Sequence, residues 1–428
     1  KCLISELNQL TTGISDDLDN FHVVDACRKI SGFVNELSTW YVRRSRDRFK
    51  AGDAESIAVL GHTLQTLSHV IAPFVPFRWD STIEYRIDWE QKRAFVRAPG
   101  APERSAKYYA DQGCVILERG SDDSHFSPEA VTTTLPGPET QEWPTGDLGA
   151  HGELPNGANQ TAMDSTLDWA INEAGQNTRA LVVVLGGKII AERYAQGFTP
   201  HTPQISWSQG KSITAALTGV LVEQGVLTLD QPAPVPEWHQ DPSDPRGEIT
   251  ITDLLHMSSG LDFLNLGLAE PVSYTSENEH FMIYFDAVNV FEHAINQPMD
   301  LPPNTEFRYR KSDPLTLGRI IRQKVEARGE DYLTFPQRAL FDRIGIRDAV
   351  LETDTYGNFI MTGYDYLSAY DWTRFGLLHL WDGVWLGERI LPAGWVEFIS
   401  TPTPSDPGNN YGALFWLNRG GAFPDVPA

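Results

Sequence analysis

Apolar residues in the first 77 positions recur at the spacing of one helix face. One stripe runs from Ile30 to Tyr41 and a second from Ile57 to Ile71. Pro73 ends the second stripe, because its ring and its missing N–H would break a continuing helix. The pattern predicts an all-α segment of two antiparallel helices at the start of the chain.

The pattern changes after residue 80, where we place a domain boundary. Residues 82 to 96 alternate in places between apolar and polar side chains, which predicts two short strands. Residues 98 to 157 are rich in Gly and Pro, so we expect an extended segment packed over a domain surface. Two β-rich runs at 179 to 185 and 188 to 194 enclose a Gly-Gly pair, which predicts a hairpin with a tight turn.

Two helices are predicted further along the chain. The first carries apolar residues at helical spacing just after Ser208, namely Ile213, Ala216, Leu217, Val220 and Leu221. The second carries Leu315, Leu317, Ile320 and Ile321. Both patterns indicate helices with one face in a core.

Composition excludes several classes of protein. The 428 residues are too many for one small domain, and no run of eighteen apolar residues predicts a membrane span. The net charge of -23 argues against a protein that binds nucleic acid over its whole surface. Three cysteines are too few for a disulfide framework, and the eleven histidines lack metal-ligand spacing, so no metal or other cofactor is predicted.

One local patch departs from the acidic average. Five cations lie between Arg43 and Lys50, with Trp40, Tyr41 and Phe49 beside them. Cations interleaved with aromatic rings can hold RNA phosphates and stack bases. A solvated helix face gives the same pattern, and charge alone favours that second interpretation.

Several blocks within residues 1 to 77 resemble the anticodon-binding helical domain of class I isoleucyl-tRNA synthetases. These blocks are 25 to 30, 37 to 46, 64 to 68 and 71 to 77. The resemblance implies tRNA contact, with Trp40, Arg43, Arg44, Arg46 and Arg48 as the candidate residues. It does not imply aminoacylation, because the family's HIGH and KMSKS signatures do not occur here.

The tetrad Ser208-Gln209-Gly210-Lys211 is an S-x-x-K sequence at the start of a predicted helix. Ser208 and Lys211 share a face, and a lysine whose pKa is lowered by burial can take the serine proton. The alternative is an N-capping Ser followed by a surface Lys. A phosphate-loop interpretation fails, because the earlier glycine it requires falls on Ile205.

A second group of polar residues precedes the helix that begins near residue 314. Here Tyr309 is expected at a loop mouth, where its hydroxyl could pass a proton to a leaving group. For an isolated Tyr, the simpler alternative is a packing role.

Four ordered blocks resemble the serine hydrolases of the β-lactamase and penicillin-binding fold, especially the esterases and amide hydrolases related to 6-aminohexanoate-dimer hydrolase. The blocks are 207 to 212, 251 to 261, 309 to 317 and 411 to 418, and the resemblance runs from about Glu84 to the end. It implies that Ser208 is the acylated nucleophile, Lys211 its general base and Tyr309 the tyrosine of the second motif.

The second motif departs from the usual Y-x-N pattern. Lys311 stands at its third position, and Asp313 takes the acidic position of the esterase branch, where we expect it to order the loop. Together with Trp207, these two residues are the candidate substrate-binding residues. In this family the block containing His256, Ser258 and Ser259 is a structural turn. We expect pocket walls from residues 262 to 300 and from Trp238, Tyr274, Phe281, Tyr284 and Phe285.

The resemblance also predicts a missing element. Relatives continue into sheet strands with a His-x-Gly or Lys-Thr-Gly motif, which this sequence does not show before Ala428. One oxyanion-hole donor would then be absent, at a typical cost of about 10² to 10³ in rate.

The sequence therefore predicts a multidomain chain with an all-α segment at 1–78, a strand-containing, Pro/Gly-rich lead-in at 79–165, and an α/β (α+β) domain at 166–428. The last has an antiparallel sheet flanked by helices and lacks its C-terminal strands. The predicted function is hydrolysis of a carboxylic ester or amide, β-lactams included, without a cofactor. The alternatives are a tRNA-binding, synthetase-derived protein and a fusion of two partial genes without function. We expect a cytoplasmic protein, since no signal peptide is visible, although the hydrolase relatives are often exported.

Overall fold

The computed structural model describes residues 83–419 and 421 apart from 99, 174–176, 263–281, 285 and 287. These residues belong to two compact units. The smaller unit includes 153–185 and 189–200, and the larger unit includes 84–152, 186–188 and the chain from 201 onwards. Within the described part of the chain, no helix is long and apolar enough to cross a membrane.

The larger unit opens with a four-stranded antiparallel sheet in the order β1-β2-β3-β4. Its strands are β1 (Glu84–Asp88), β2 (Arg93–Arg97), β3 (Arg104–Tyr108) and β4 (Cys114–Leu117). One face is buried through Phe95, Val115 and Leu117. The sequence predicted two strands here and an extended segment after residue 98, and the second expectation is wrong for β3 and β4. The sequence of β3, RSAKY, has little apolar alternation, so only its pairing with β2 and β4 reveals it as a strand.

The smaller unit holds one helix and the two arms of a hairpin, whose turn residues 186–188 belong to the larger unit. Helix α1 (Gln160–Asn172) begins after Asn159, whose side chain accepts a hydrogen bond from the Ala162 N–H at 3.0 Å. Strands β5 (Ala180–Leu185) and β6 (Lys188–Tyr194) pair with each other. The two glycines between them have φ of 57° and 81°, which confirms the predicted turn.

The rest of the larger unit mixes helices with short strands. The helices are α2 (Gly210–Glu223), α3 (Ile251–Leu255), α4 (Val290–Ile295), α5 (Ser312–Glu326), α6 (Asp342–Ile344), α7 (Ala369–Leu380) and α8 (Trp395–Ile399). The strands are β7 (Gln204–Ile205), β8 (Val350–Leu351), β9 (Asp365–Leu367), β10 (Val384–Trp385) and β11 (Glu388–Arg389). β9 is the central strand of an antiparallel sheet with order β7-β9-β8, and β10 pairs with β11.

Helices α2 and α5 confirm the predicted apolar stripes. The stripe of α2 is fully buried, as are Leu315 and Leu317 of α5. Helix α5 packs against α2, α3 and α4. This packing fixes the start of α5 beside the start of α2, so the two sequence motifs that precede these helices meet.

The turn after α3 is structural, as the sequence resemblance implied. His256 is the residue that ends α3, and Ser258 and Ser259 are fully buried. The Ser259 hydroxyl donates to the Asp313 carboxylate at 2.7 Å, which ties this turn to the first turn of α5. The Asp313 carboxylate also accepts from Ser312 Oγ at 3.1 Å.

Candidate active site

Ser208 lies in a short 3₁₀ turn, Trp207–Gln209, that leads directly into α2. The turn is anchored to the sheet, since the Ser206 N–H donates to the Asp365 carbonyl oxygen at 2.7 Å. Trp207 adopts a φ of 46°, a conformation that bulky residues rarely take and that surrounding structure must enforce. Ser208 is exposed, so the turn presents its hydroxyl to solvent.

Lys211 stands one helical turn after Ser208 and is buried, with 1% of its surface exposed. Its Nζ lies 3.2 Å from Ser208 Oγ and donates to the Thr362 carbonyl oxygen at 2.9 Å. The surface-lysine alternative therefore does not hold. The structure places the amine where it can exchange a proton with the serine hydroxyl.

Burial lowers the pKa of Lys211 to about 7, because an ammonium loses its hydration in the protein interior. The nearby charge of Lys311 lowers this pKa further, and the Asp365 carboxyl opposes both effects. Near neutral pH a large share of the Lys211 side chains is therefore uncharged. An uncharged amine has the lone pair that a general base requires.

Tyr309 comes from the segment that precedes α5 and meets the other two residues. It shares a hydrogen bond with Ser208, and Lys211 Nζ lies 5.0 Å from the centroid of its ring. Burial raises the pKa of the Tyr309 hydroxyl, so the phenol keeps its proton at neutral pH. Ser208, Lys211 and Tyr309, which the sequence predicted as one site, are brought together.

The other three candidate residues lie in different surroundings. Trp207 is 47% exposed next to Ser208, and Lys311 is buried close enough to act on the charge of Lys211. Asp313 is fully buried and bonded to two serines, so its carboxylate does not face the open side of the site. Its contacts are those of a residue that orders the loop.

Aromatic rings lie on two sides of Ser208. Trp207 makes edge-to-face contacts with Tyr284 and Tyr364, at centroid distances of 5.8 and 5.7 Å. On the other side the Trp416 ring lies 5.2 Å from that of Tyr309 and is 61% exposed. The expectation that Trp238 walls the pocket is wrong, because its indole is fully buried and donates to the Ile295 carbonyl.

Sequence reasoning missed two residues at the lysine, Thr362 as its hydrogen-bond partner and Asp365 as a nearby carboxyl. Thr362 lies in the turn before β9 and Asp365 begins that strand, about 150 residues after Lys211. Gly210 carries the one available signal, since a Cβ at this position would collide with the Asp365 carboxylate. A glycine inside the S-x-x-K sequence thus marks the close approach of a buried carboxyl.

The candidate tRNA-binding residues, Trp40, Arg43, Arg44, Arg46 and Arg48, lie outside the described residues. So do Tyr274, Phe281 and Phe285. Among the residues that the structure describes, no cluster of three or more His, Cys, Asp or Glu side chains could hold a metal ion.

Comparison with known proteins separates the chain into two parts. The N-terminal residues 1–113 match the anticodon-binding domain of tRNA ligases. The isoleucine–tRNA ligase of Streptomyces avermitilis is 40% identical over 101 residues, which are 24% of this chain and 9% of that ligase. That of Dehalococcoides mccartyi is 46% identical over 80 residues, 18% of this chain and 8% of the ligase. The chain thus spans about a tenth of the length of these relatives.

The larger part is similar to different proteins. A solved structure of a candidate 6-aminohexanoate-dimer hydrolase from Bacillus anthracis aligns with 67% of this chain and 76% of its own, with a TM-score of 0.50 and 20% identity. At this identity the likeness concerns the fold. Residues 168–418, more than half of the sequence, match the family model described as beta-lactamase. The chain belongs to the beta-lactamase family.

Proposed function

We propose that this protein is a serine hydrolase that cleaves a carboxylic ester or amide through an acyl-enzyme on Ser208. The observation that carries the proposal is the 3.2 Å distance between Ser208 Oγ and the buried Nζ of Lys211. An exposed hydroxyl beside an uncharged amine is the arrangement that nucleophilic catalysis requires.

Acylation follows from these contacts. Lys211 Nζ takes the proton of the Ser208 hydroxyl as Oγ attacks the substrate carbonyl carbon. The negative charge on the substrate oxygen is met by backbone N–H groups at the start of α2, where the helix dipole is positive. The bond to the leaving group then breaks, and the leaving group takes a proton from the Tyr309 hydroxyl, which Lys211 re-protonates.

Deacylation repeats the sequence with water as the nucleophile. Water gives a proton to Lys211, attacks the acyl carbon and releases a carboxylic acid, and Ser208 regains its proton. Tyr309 remains a phenol throughout the resting state, because burial raises its pKa. Lys211 thus ends each half of the cycle uncharged, as it began.

Family membership and the fold support an ester or amide substrate. The structural neighbour from Bacillus anthracis is a candidate hydrolase of the 6-aminohexanoate dimer. The exposed indoles of Trp207 and Trp416 favour a substrate with apolar groups close to the scissile bond.

Intact-mass detection of an acyl adduct tests the proposal, with p-nitrophenyl acetate and nitrocefin as substrates. We expect an adduct that is lost in Ser208→Ala and kept in Ser212→Ala, a matched control on the next position of α2 after Lys211. The Ser212 hydroxyl donates to the Leu414 carbonyl at 3.0 Å and not to Lys211. A folded wild-type protein without an adduct would contradict the proposal.

We propose a second function, tRNA contact by residues 1–77, because this segment matches anticodon-binding domains. Salt-dependent binding of isoleucine tRNA is expected to weaken when Arg43, Arg44, Arg46 and Arg48 are neutralised together. The control neutralises Arg328 and Arg338, two exposed arginines outside the matched residues 1–113. Equal loss of binding in both variants would count against a specific site.

We also propose domain boundaries at residues 78 and 165 and a cytoplasmic location. A further proposal is that the chain is a fusion of two partial genes. Sequencing across codons 75 to 85 from an independent sample tests the fusion. Two separate reading frames there would contradict the fusion.

A further inference from the structure

A second lysine lies beside the base. Lys311 follows Tyr309 by two residues, immediately before α5, and only 5% of its surface is exposed. It stands where related sequences usually carry the neutral Asn of the Y-x-N motif. A second cation beside Lys211 disfavours the protonated form of Lys211, which must be uncharged to act as a base.

Tyr284 and Thr362 connect the two lysines. Lys311 Nζ lies 5.4 Å from the centroid of the Tyr284 ring. The Tyr284 hydroxyl donates to the Thr362 carbonyl oxygen at 2.9 Å, and Lys211 Nζ donates to the same oxygen at 2.9 Å. Each amine is held by a buried partner, so neither can move away from the other into water.

The groups facing Lys211 come from three parts of the chain, namely the turn before α2, the segment before α5, and β9. They are the Ser208 hydroxyl, the Tyr309 ring, the Asp365 carboxyl and the Lys311 ammonium. Asp365 alone favours a charged Lys211, but its own burial raises the pKa of its carboxyl well above the ordinary value. Burial thus weakens the attraction between the Asp365 carboxyl and a cation, whereas two ammonium groups in a poorly hydrated site repel strongly.

We propose that Lys311 is a positioning residue that keeps Lys211 unprotonated, because its buried ammonium occupies the face of the Tyr284 ring next to the base. The aromatic face stabilises the cation on Lys311, so the proton of the pair resides there and not on Lys211. The inference rests on the proposed function and adds how Lys211, its general base, is kept uncharged. Lys311 acts through Lys211 and makes no covalent step itself.

Two neutral variants and one charged variant test this role. In Lys311→Met and Lys311→Asn we expect the midpoint of Lys211 titration to rise by about one pH unit or more. In Lys311→Arg, which retains the positive charge, the midpoint is expected to stay close to that of the wild type. NMR titration of ¹³C-labelled lysine side chains measures it directly, with the Lys211 signal assigned by its loss in Lys211→Arg.

A second measurement follows the protonation of Lys211 through the reactivity of Ser208. The rate at which a fluorophosphonate labels Ser208 is expected to show the same upward shift in both neutral variants and none in Lys311→Arg. A merely structural role would lower the rate at all pH values without moving the midpoint. Circular dichroism confirms that each variant is folded, and two neutral variants guard against misfolding of one.

The two proposals can fail separately. An unshifted Lys211 midpoint in a folded neutral variant would overturn the role of Lys311, whatever the labelling shows. Wild-type protein that titrates as expected but is not labelled at Ser208 would overturn the proposed function and leave the coupling of the two lysines intact.

Discussion

Burial changes what Lys211 can do. On a surface, a lysine amine remains charged at neutral pH and could not take the Ser208 proton. In this protein the amine is enclosed between the Ser208 hydroxyl, the Thr362 carbonyl and the Tyr309 ring. The chemistry of the site thus depends on how the chain excludes water around one nitrogen atom.

The pH dependence of hydrolysis follows from this environment. Because Lys211 must be unprotonated and burial lowers its pKa to about 7, we expect kcat/KM for p-nitrophenyl acetate to rise through about pH 7. Below that midpoint the value is expected to fall about tenfold per pH unit. Steady-state rates between pH 5 and pH 9 measure it. A profile that stays flat across this range would show that Lys211 is not the base.

Gly210 is expected to tolerate no side chain. In Gly210→Ala the added Cβ would collide with the buried Asp365 carboxylate, so we expect a loss of about 1 to 3 kcal/mol in the free energy of unfolding. Urea denaturation measures this loss. The matched control is Gly376→Ala on α7, where a Cβ meets nothing within 4 Å and helix propensity favours alanine. Equal stability of the two variants would contradict the argument.

Residues that act locally could be predicted, and those that act across the fold could not. The spacing of Ser208 and Lys211 identifies a shared helix face, and Tyr309 was found from its motif. Thr362 and Asp365 reach the site only through the pairing of β9 with β7. No local pattern encodes that pairing, since β7 has two residues.

Among the elements, α7 shows how one buried side chain can fix a long irregular segment. The Arg374 guanidinium donates to the Pro144 carbonyl at 2.7 Å, to the Gly146 carbonyl at 3.0 Å and to the Asp147 carboxylate at 2.6 Å. It is almost fully buried. The guanidinium thereby donates hydrogen bonds to backbone oxygens of residues 144 to 147, for which no helix or sheet supplies a donor.

Removal of this guanidinium is expected to be costly. Arg374→Met leaves buried acceptors without donors and Asp147 without its ion-pair partner, so we expect a loss of about 3 kcal/mol in the free energy of unfolding. Arg97→Met is the control, because its ion pair with Glu103 is exposed and is worth at most about 1 kcal/mol. Urea midpoints compare the two. Similar midpoints would show that the 144 to 147 segment does not depend on Arg374.

Helices were easier to predict than strands, because a helical pattern extends over more residues. The stripes of α2 and α5 extend over several turns, and each packs as its period indicates. β8 to β11 have two or three residues each, too short for alternation to appear. The hairpin of β5 and β6 was an exception, because two consecutive glycines specify its turn.

For the molecule as a whole, buried ionisable groups make stability depend on pH. Burial raises the pKa of Glu352 to about 7 from 4.5, so the folded state binds this proton more tightly than the unfolded chain does. Stability from this group is complete below about pH 4.5 and is lost as the pH rises to about 7. Lys211 has the opposite effect above pH 7, since its lowered pKa makes stability increase towards pH 10.5.

Glu352→Gln is expected to remove the loss of stability that the Glu352 carboxyl causes as the pH rises to about 7. The amide keeps an oxygen for the Cys114 N–H, which lies 3.2 Å from Glu352 Oε1, and it does not titrate. Between pH 5 and pH 8 the variant should gain about 3 kcal/mol in the free energy of unfolding relative to wild type. Urea titrations at the two pH values give the difference. A constant difference between the two proteins would show that Glu352 is not the titrating group.

The hydrogen bond between Lys211 and the Thr362 carbonyl joins residues 151 positions apart. A nascent or partly folded chain lacks it, so its lysine stays charged and its serine stays inert. Under the proposed function, Ser208 becomes reactive only once both of these segments have docked. Labelling by a fluorophosphonate added at intervals during refolding would therefore report when that contact forms.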